Sequence, residues 1–290
     1  MKNLRAELLL DAKADLGEGP VWHASTQRLY WVNIIRGELH AFDPATRRDA
    51  VYPVHQQLGC AVLRASGGFI LGLQHGFAAF DPVRDSLTML ADPESQTTGN
   101  RFNDGKCDPA GRLFAGTMGK QGTATLWRLD ATLHAHPLLR NVTCSNGLAW
   151  SADHKTCYYI DTPTRQIAAF DYDVDTGDIA NRRVVVEVAA ADGGPDGMAI
   201  DAEDKLWVGH WGGGQVVRWD PKTGQKLARI AVPSSQATSC AFGGPNLDLL
   251  YITSAREGLS HDQLQREPHA GGLFIAEPGV PGAPVPSFAG

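Results

Sequence analysis

The stretch SNGLAWSADHKTCYYIDTPTRQIAAFD, which spans Ser145–Asp171, contains a short apolar strand, a turn, a second strand rich in aromatic residues, and a third strand that ends in Phe170-Asp171. The second strand, TCYYID (Thr156–Asp161), mixes β-branched and aromatic residues and is bounded by turn-forming residues, as expected of a β-strand. Nothing in the stretch has the long amphipathic pattern that indicates a helix. It predicts three strands joined by short turns.

The same unit recurs along the whole chain. The other second strands are RLYWVN (Arg28–Asn33), GFILGL (Gly68–Leu73), RLFAGT (Arg112–Thr117), KLWVGH (Lys205–His210) and LLYITS (Leu249–Ser254). A period of about 45 residues with three or four strands per unit is typical of a β-propeller. We therefore predict an all-β fold in one domain, residues 1–290, with six blades. A β-sandwich is the alternative, but it would not need so regular a repeat.

The N-terminal strand has a predicted role of its own. The apolar run within Glu7–Asp11 precedes the first complete unit. Sheet edges are protected when a propeller ring closes. We expect this strand to close the ring by pairing in the last blade.

Composition narrows the class of protein. The chain has 290 residues, 43% of them hydrophobic, which is enough for a large packed core. Its formal net charge is −6 and it has no block of Lys or Arg, so neither nucleic acid nor membrane is expected as a partner. No apolar run approaches about 18 residues and no secretory signal is recognisable. Five widely spaced cysteines fit reduced thiols. We expect a cytoplasmic monomer.

In a propeller, the first strand of each blade lines a central channel, so equivalent positions of the repeat face one another. Aligning the six units at their first strands brings one set of positions into register: Glu18, Cys60, Asp104, Asn146, Asp196 and Cys240. We call these the ring positions. Four of the six carry oxygen side chains, which should crowd one end of the channel.

Crowded carboxylates at the ring positions need compensation. They repel one another, and burial of an unpaired charge is costly. No ring position holds Lys or Arg. A divalent cation bound by oxygen ligands is the simplest solution, and Glu18, Asn146 and Asp196 are the predicted ligands. The alternative is that these side chains only accept hydrogen bonds from loop amides, and Asp104, which precedes Gly105, fits that alternative.

Two further polar residues precede the third inner strand. Arg101 and Asn103 lie in GNRFND and should overhang the same end of the channel. They offer donors for the hydroxyl or carbonyl oxygens of a polyol ligand. Alternatively, Arg101 is an ion-pair partner of the acidic cluster. His75 and His210 end other second strands and either line a pocket or serve a structural role.

Four long motifs in order then identify a resemblance that covers essentially the whole chain. They are LGEGPVW (Leu16–Trp22), NRFNDGKCDPAGRLFAGTM (Asn100–Met118), SNGLAWSADHKTCYYIDT (Ser145–Thr162) and GGPDGMAID (Gly193–Asp201). They closely resemble the senescence marker protein/gluconolactonase/luciferin-regenerating enzyme family. The resemblance implies a six-bladed propeller with one divalent metal and, as the commonest activity, hydrolysis of sugar lactones. It also implies that Glu18, Asn146 and Asp196 bind the metal and that Arg101 and Asn103 contact the substrate.

One segment departs from the family pattern. Relatives that resemble the animal gluconolactonases can carry an acidic residue just after GTM, in a substrate lid. Here the segment is GTMGKQGTATLW, in which Gly119, Lys120 and Gln121 form a shorter and non-acidic stretch. The departure favours a pentonolactone such as xylonolactone over the six-carbon gluconolactone.

The resulting functional prediction is a metal-dependent lactonase that opens an aldonolactone to the aldonic acid. The metal, which is Ca²⁺, Zn²⁺, Mn²⁺, Mg²⁺ or Fe²⁺, polarises the carbonyl or activates a water, and Asp196 acts as general base. The alternatives are a gluconolactonase proper, an aryl-ester or phosphotriester hydrolase that uses the same metal, and a non-catalytic metal-binding scaffold.

Overall fold

Short turns between largely buried inner strands and more exposed outer strands produce six sheets in the computed structural model, which describes residues 1–290. The two N-terminal strands are β1 (Lys2–Arg5) and β2 (Glu7–Leu10). The first blade contains β3 (Gly17–His23), β4 (Arg28–Asn33), β5 (Glu38–Asp43) and β6 (Arg48–Pro53). The second contains β7 (Leu58–Leu63), β8 (Phe69–Leu73), β9 (Gly76–Asp81) and β10 (Ser86–Ala91). The third contains β11 (Arg101–Cys107), β12 (Leu113–Met118), β13 (Ala124–Leu129) and β14 (Ala135–Val142).

The remaining blades follow the same plan. The fourth contains β15 (Ser145–Trp150), β16 (Thr156–Asp161), β17 (Gln166–Tyr172) and β18 (Ile179–Glu187). The fifth contains β19 (Gly194–Ile200), β20 (Leu206–Trp211), β21 (Gln215–Asp220) and β22 (Gln225–Ala231). The sixth contains β23 (Ala237–Gly243), β24 (Leu249–Ser254) and β25 (Leu273–Ala276). One short helix, α1 (His261–Arg266), and two single-turn 3₁₀ segments, Thr162–Thr164 and Ala190–Asp192, complete the chain. None of these helical segments has the length or apolar character needed to cross a bilayer.

The first strand of every blade lies at the centre of the molecule. Strands β3, β7, β11, β15, β19 and β23 each contact the next, and β23 contacts β3 again. These contacts enclose an axial channel. The predicted six-bladed β-propeller is therefore confirmed.

The two N-terminal strands join different blades. Strand β2 pairs antiparallel with β25, with Glu7 opposite Ile275, and supplies the fourth strand of the sixth blade. Strand β1 pairs parallel with β22, with Lys2 opposite Ala228, and adds a fifth strand to the fifth blade. Sequence analysis did not anticipate β1, because its residues are mostly exposed and lack the apolar alternation that marks a strand.

Large apolar side chains pack between neighbouring blades. Phe114 of the third blade meets the ring of Trp150 of the fourth edge-on at 5.2 Å, and Trp207 of the fifth meets Phe242 of the sixth at 6.2 Å. Each buried aromatic of this kind contributes roughly 1.5–3 kcal/mol through burial. The blades are thereby fixed around the channel, and the positions of the first strands are fixed with them.

His210 is part of this packing. Its ring is fully buried, its Nδ1–H donates to the carbonyl of Asp192 at 2.9 Å, and Trp219 Nε1 donates to its Nε2 at 3.4 Å. Both ring nitrogens are therefore used within the fifth blade. Burial lowers the pKa of His210 to about 4. His75, in contrast, lies on an exposed turn. Of the two readings left open by the sequence, the structural one holds for His210.

The C-terminal residues 281–290, which we call the C-terminal strap, cross one end of the channel. Ala283 N donates to the carbonyl of Ile200 in the fifth blade, and Phe288 N donates to the carbonyl of Leu63 in the second. The side chain of Phe288 is fully buried among residues of the second and third blades. The strap thus ties together opposite sides of the ring.

We expect Phe288→Ala to lower the free energy of unfolding by about 3–5 kcal/mol, because it empties a fully buried aromatic site. Urea denaturation would measure this loss. The matched control is Val285→Ala in the same strap, where the side chain is 41% exposed and the change should stay within about 0.5 kcal/mol. Equal losses in the two variants would show that Phe288 does not anchor the strap.

The buried His210 should make stability depend on pH. Its pKa is lower in the folded chain than in the unfolded chain, so the stabilisation is complete above about pH 6.5 and is lost as the pH falls toward 4. The full effect is about 3 kcal/mol. We expect urea denaturation to show a smaller loss of stability between pH 7 and pH 4.5 in His210→Asn than in the unsubstituted chain. His75→Gln, at an exposed histidine, should keep the original slope.

Candidate functional site

All six first strands depart from regular pairing at or beside the ring position. The register with the second strand shifts between Glu18 and Val21 in the first blade and between Pro195 and Met198 in the fifth. Corresponding shifts occur in the other four blades. A β-bulge turns a side chain away from its regular direction. The bulges explain how Glu18, Asn146 and Asp196 turn toward one end of the channel, which we call the upper mouth. The ring positions Cys60 and Cys240 pack in hydrophobic clusters instead.

A glycine follows each oxygen-bearing ring position. At Gly147 an added Cβ would lie 2.8 Å from the carbonyl oxygen of Asp196, and at Gly197 it would lie 2.0 Å from Ser239 Oγ. Neither position has room for a side chain. The motif of an acid or amide followed by glycine therefore reflects the close approach of neighbouring inner strands at the axis.

The glycine amides also contact the carboxylates. Gly19 N donates to Glu18 Oε2 at 2.9 Å, and Gly105 N donates to Asp104 Oδ1 at 2.7 Å. The amide-capping alternative considered from the sequence thus holds in part. It leaves the second oxygen of each carboxylate free of protein donors.

Three carboxylates interact at the upper mouth. Glu18, Asp104 and Asp196 are buried. Burial, followed by the negative charge of Asp104, raises the pKa of Glu18 to about 8. Burial and the charges of Glu18 and Asp104 raise the pKa of Asp196 well above its usual value. The charge of Glu18 therefore acts on Asp196, although the two residues are 178 positions apart in the chain.

A line of hydrogen bonds fixes the amide of Asn146. Its Nδ2 donates to Thr162 Oγ1 at 2.8 Å, and that hydroxyl donates to the carbonyl of Pro195 at 2.8 Å. Asn146 Oδ1 accepts from Asn103 Nδ2 at 3.2 Å. The amide oxygen is thus oriented by its neighbours. Thr162, in the turn after the second strand of the fourth blade, was not identified from the sequence, because nothing in its local motif distinguishes it from an ordinary turn threonine.

Arg101 and Asn103 lie beside this amide. Arg101 Nη1 donates to Asn103 Oδ1 at 2.6 Å and to the carbonyl of Phe102 at 3.0 Å. Burial lowers the pKa of Arg101, and the charges of Glu257, Glu18 and Asp196 act in the opposite direction. Both predicted substrate residues are therefore close to the predicted metal ligands. The positive charge of Arg101 interacts with the negative charges of Glu18 and Asp196.

Lys106 was missed by the sequence analysis. It lies two residues after Asp104 on β11, where strand alternation returns it to the channel, and its Nζ donates to the carbonyl of Met198. Burial lowers the pKa of Lys106, while Asp104 raises it. No Lys or Arg occupies a ring position, as the sequence indicated, but Lys106 lies outside the aligned positions and its charge acts on Asp104.

Two other residues at the mouth were also missed. Glu257, on the exposed loop after β24, contributes a negative charge near Arg101. Cys144 is the one cysteine that is not fully buried, and Asn146 Nδ2 lies 3.7 Å from its Sγ. Burial raises the pKa of this thiol to about 12, so it is protonated at neutral pH.

The donors at the upper mouth fit a hard divalent cation. No group of three His, Cys, Asp or Glu side chains in the chain is arranged to hold a metal. A metal here would therefore need the amide oxygen of Asn146 beside the two carboxylates of Glu18 and Asp196. All three donors are oxygens, the ligand type preferred by Ca²⁺, Mg²⁺ and Mn²⁺. The pKa values of Glu18 and Asp196 are raised in the absence of a metal, and a bound cation would lower them again.

The segment after GTM forms a tight turn. Thr123 N donates to the carbonyl of Lys120 at 3.0 Å, and Gly122 N donates to Thr143 Oγ1 at 3.1 Å. The side chains of Lys120 and Gln121 are exposed. The turn brings no carboxylate toward Arg101.

Comparisons with known proteins agree with this architecture. Residues 16–256 match the family described as the SMP-30/Gluconolactonase/LRE-like region. Regucalcin from Homo sapiens is 40% identical over 299 aligned residues, with 100% of both chains covered. A solved structure of a calcium-binding protein, regucalcin from Agrobacterium tumefaciens, is 30% identical, with a TM-score of 0.93 over 99% of this chain and 98% of that one. A luciferin-regenerating enzyme is 32% identical, with a TM-score of 0.86 over 98% and 97% of the two chains.

The family match covers all six ring positions, and the relatives extend the similarity over both termini. On these grounds the chain belongs to the SMP-30/gluconolactonase/LRE-like family.

Proposed function

We propose that this protein is a metal-dependent lactonase that opens a sugar lactone to the aldonic acid. The observation that carries the proposal is the hydrogen-bonded line from Arg101 through Asn103 to Asn146, beside the buried pair Glu18 and Asp196. The line connects donors that suit the oxygens of a polyol, on Arg101 and Asn103, with oxygen atoms that suit a divalent cation. The family assignment supports the same reaction class.

The residues that would hold the metal are Glu18, Asn146 and Asp196. When bound, a divalent cation supplies Lewis-acid polarisation of a carbonyl and a lowered pKa for a water. The carboxylates of Glu18 and Asp196 would balance the charge of the cation, and the neutral amide of Asn146 would be the third oxygen donor from the protein. The hydroxyl of Thr162 keeps the amide oxygen of Asn146 turned toward the mouth.

Asp196 is the proposed general base. Its carboxylate accepts a backbone hydrogen bond from Gly197, and a carboxylate oxygen that the cation does not engage would be free to accept a proton from a water. The positive charge of Arg101 acts in the opposite direction and favours the ionised form. In this proposal Asp196 takes a proton from the water that attacks the lactone carbonyl.

Arg101 and Asn103 are the proposed substrate contacts. The guanidinium has five N–H donors, and its contacts with Phe102 and Asn103 use only Nη1. The remaining donors are suited to the lactone carbonyl or to ring hydroxyls. Fixing these oxygens orients the carbonyl for attack.

The proposed substrate is a pentonolactone such as xylonolactone. The turn at residues 119–123 carries no carboxylate to bind an additional hydroxyl, which favours the smaller sugar over gluconolactone. An aryl ester or phosphotriester would need an apolar wall where Arg101 and Asn103 lie. The remaining candidate is a calcium-binding scaffold without turnover, which the all-oxygen donor set and the names of the relatives favour.

The decisive experiment follows acid release in a pH-stat with pentono- and hexonolactones, using chelated protein and protein reconstituted with each divalent metal. Spontaneous opening is subtracted. We expect no enzymatic rate in the chelated protein, recovery with metal, and faster turnover of pentonolactones. Asp196→Ala should lower kcat by at least about 10³-fold, since it removes both a ligand and the base.

Asp204→Ala is the matched control for this experiment, because Asp204 lies at the opposite end of the channel and caps Ala152 N. It should retain full turnover. Metal binding by calorimetry without turnover of any lactone would favour the scaffold. Full activity after chelation would rule out a role for the metal.

Thr162 gives a test of the positioning of Asn146. Thr162→Val keeps the side-chain shape but removes the hydroxyl that joins Asn146 to Pro195. We expect metal affinity, measured by calorimetry, and kcat to fall by about 10–100-fold, as for other residues that orient metal ligands. Thr162→Ser should restore both values. If valine is tolerated without loss, the orientation of Asn146 does not depend on Thr162.

A further inference from the structure

A cavity lies at the end of the channel opposite the upper mouth. Its volume is about 430 Å³, and it is bounded by the later halves of the inner strands and by the C-terminal strap. We call this end the lower mouth. Asp104 and Lys106 lie at its inner limit, and Glu18, Asn146 and Asp196 are not among its walls. The cavity therefore shares Asp104 with the upper mouth but includes none of the three predicted metal ligands.

Small side chains account for the open space. Ala61, Ala149, Ala199 and Ala241, on four different inner strands, line the cavity together with Gly105. Protein interiors are otherwise filled close to crystal density, with few voids larger than a water molecule. A volume of 430 Å³ lies within the range of about 300–1,000 Å³ that small-molecule sites occupy.

The strap closes the cavity without bringing polar groups to it. Between its attachments at Ala283 and Phe288, the strap contributes Pro284, Val285 and Pro286 to the wall. The two prolines have no N–H group. This part of the strap therefore presents few backbone donors that would need a water in the apolar cavity as a hydrogen-bond partner. The attached strap limits the occupant to a small molecule.

Lys106 contributes an ammonium group to the wall of the cavity. Its Nζ donates to the carbonyl of Met198, and an ammonium has three donors, so two remain for an occupant. Burial lowers the pKa of Lys106.

The other charged groups do not favour an anion. Asp104 and Lys106 both line the cavity, and the charge of Asp104 acts on Lys106. Asp201 is ion-paired with Arg218, and Asp204 accepts a hydrogen bond from a backbone amide at the rim. An anionic ligand would approach the carboxylates of Asp104 and Asp204 as well as Lys106, whereas a neutral acceptor would gain a hydrogen bond without that repulsion.

We propose that the lower mouth is a second binding site, for a neutral molecule with an apolar body and one carbonyl oxygen that accepts a hydrogen bond from Lys106. The alanine-lined wall holds the body, and the strap covers it. This site does not depend on lactone hydrolysis at the upper mouth.

Calorimetric titration of the full-length, metal-loaded protein tests the proposal, with 2-octanone as the neutral probe and octanoate as its anionic counterpart. We expect saturable binding of one 2-octanone and at least about tenfold weaker binding of octanoate. Ala241→Leu and Ala149→Leu, on separate strands, should each weaken 2-octanone binding by at least about tenfold by filling the cavity. Thermal denaturation identifies which of the two variants is folded.

Lys106→Met tests the head-group contact. The substitution removes the N–H donors of the ammonium but keeps a similar side-chain length, and it should weaken the binding of 2-octanone about tenfold. Asp196→Ala, at the upper mouth, is the control and should bind 2-octanone normally. The proposal is overturned by an absence of saturable 2-octanone binding, by tighter binding of octanoate, by unaltered binding in a folded leucine variant or in Lys106→Met, or by loss of binding in Asp196→Ala.

Discussion

Repulsion between buried carboxylates at the propeller axis is the constraint on which the candidate site depends. Two unit charges 4 Å apart repel by about 4 kcal/mol at an effective dielectric constant of about 20. A hydrogen bond from a backbone N–H to a charged group offsets about 1.5–3 kcal/mol. The glycine amides beside Glu18 and Asp104 therefore compensate only part of the repulsion and burial. A closed ring of strands holds the charges together in spite of this, and the cation that we propose would relieve their repulsion.

The local backbone is what makes that convergence possible. A regular strand would point successive side chains alternately into the channel and into the blade, with no common height at which six blades could meet. The bulges allow the side chains of Glu18 and Asp196 to turn toward the upper mouth. The following glycines let the strands approach closely enough for the side chains to interact. Fold and site thus share one set of backbone irregularities.

The sequence predicted the blades better than the connections between them. Three of the six second strands, including RLYWVN and TCYYID, have the bounds expected from aromatic and β-branched runs. Their burial on both sides makes the pattern strong. Strand β1 has no such pattern, since it lies at the exposed edge of a blade and pairs through its backbone. Its place follows from the closed ring, which only the tertiary structure supplies.

The candidate site shows the same division. The repeat alignment was enough to select Glu18, Asn146 and Asp196, because equivalent positions of a closed repeat converge. It was not enough for Thr162, which acts through a hydrogen bond between blades, or for Lys106, which lies outside the aligned positions. Such contacts depend on distances between blades, and one amino-acid sequence does not reveal those distances.

Lys106 changes the charge balance of the channel. Three ionised ring carboxylates would carry a charge of −3, and the two nearby cations, Lys106 and Arg101, would reduce the sum to −1. Lys106 acts on Asp104, whereas Arg101 acts on Glu18 and Asp196. Asp104 is thereby set apart from the other two acids, which are the ones proposed to bind a cation. The Asp104–Lys106 pair also separates the polar upper mouth from the apolar lower one, so a single channel can provide two chemically different compartments.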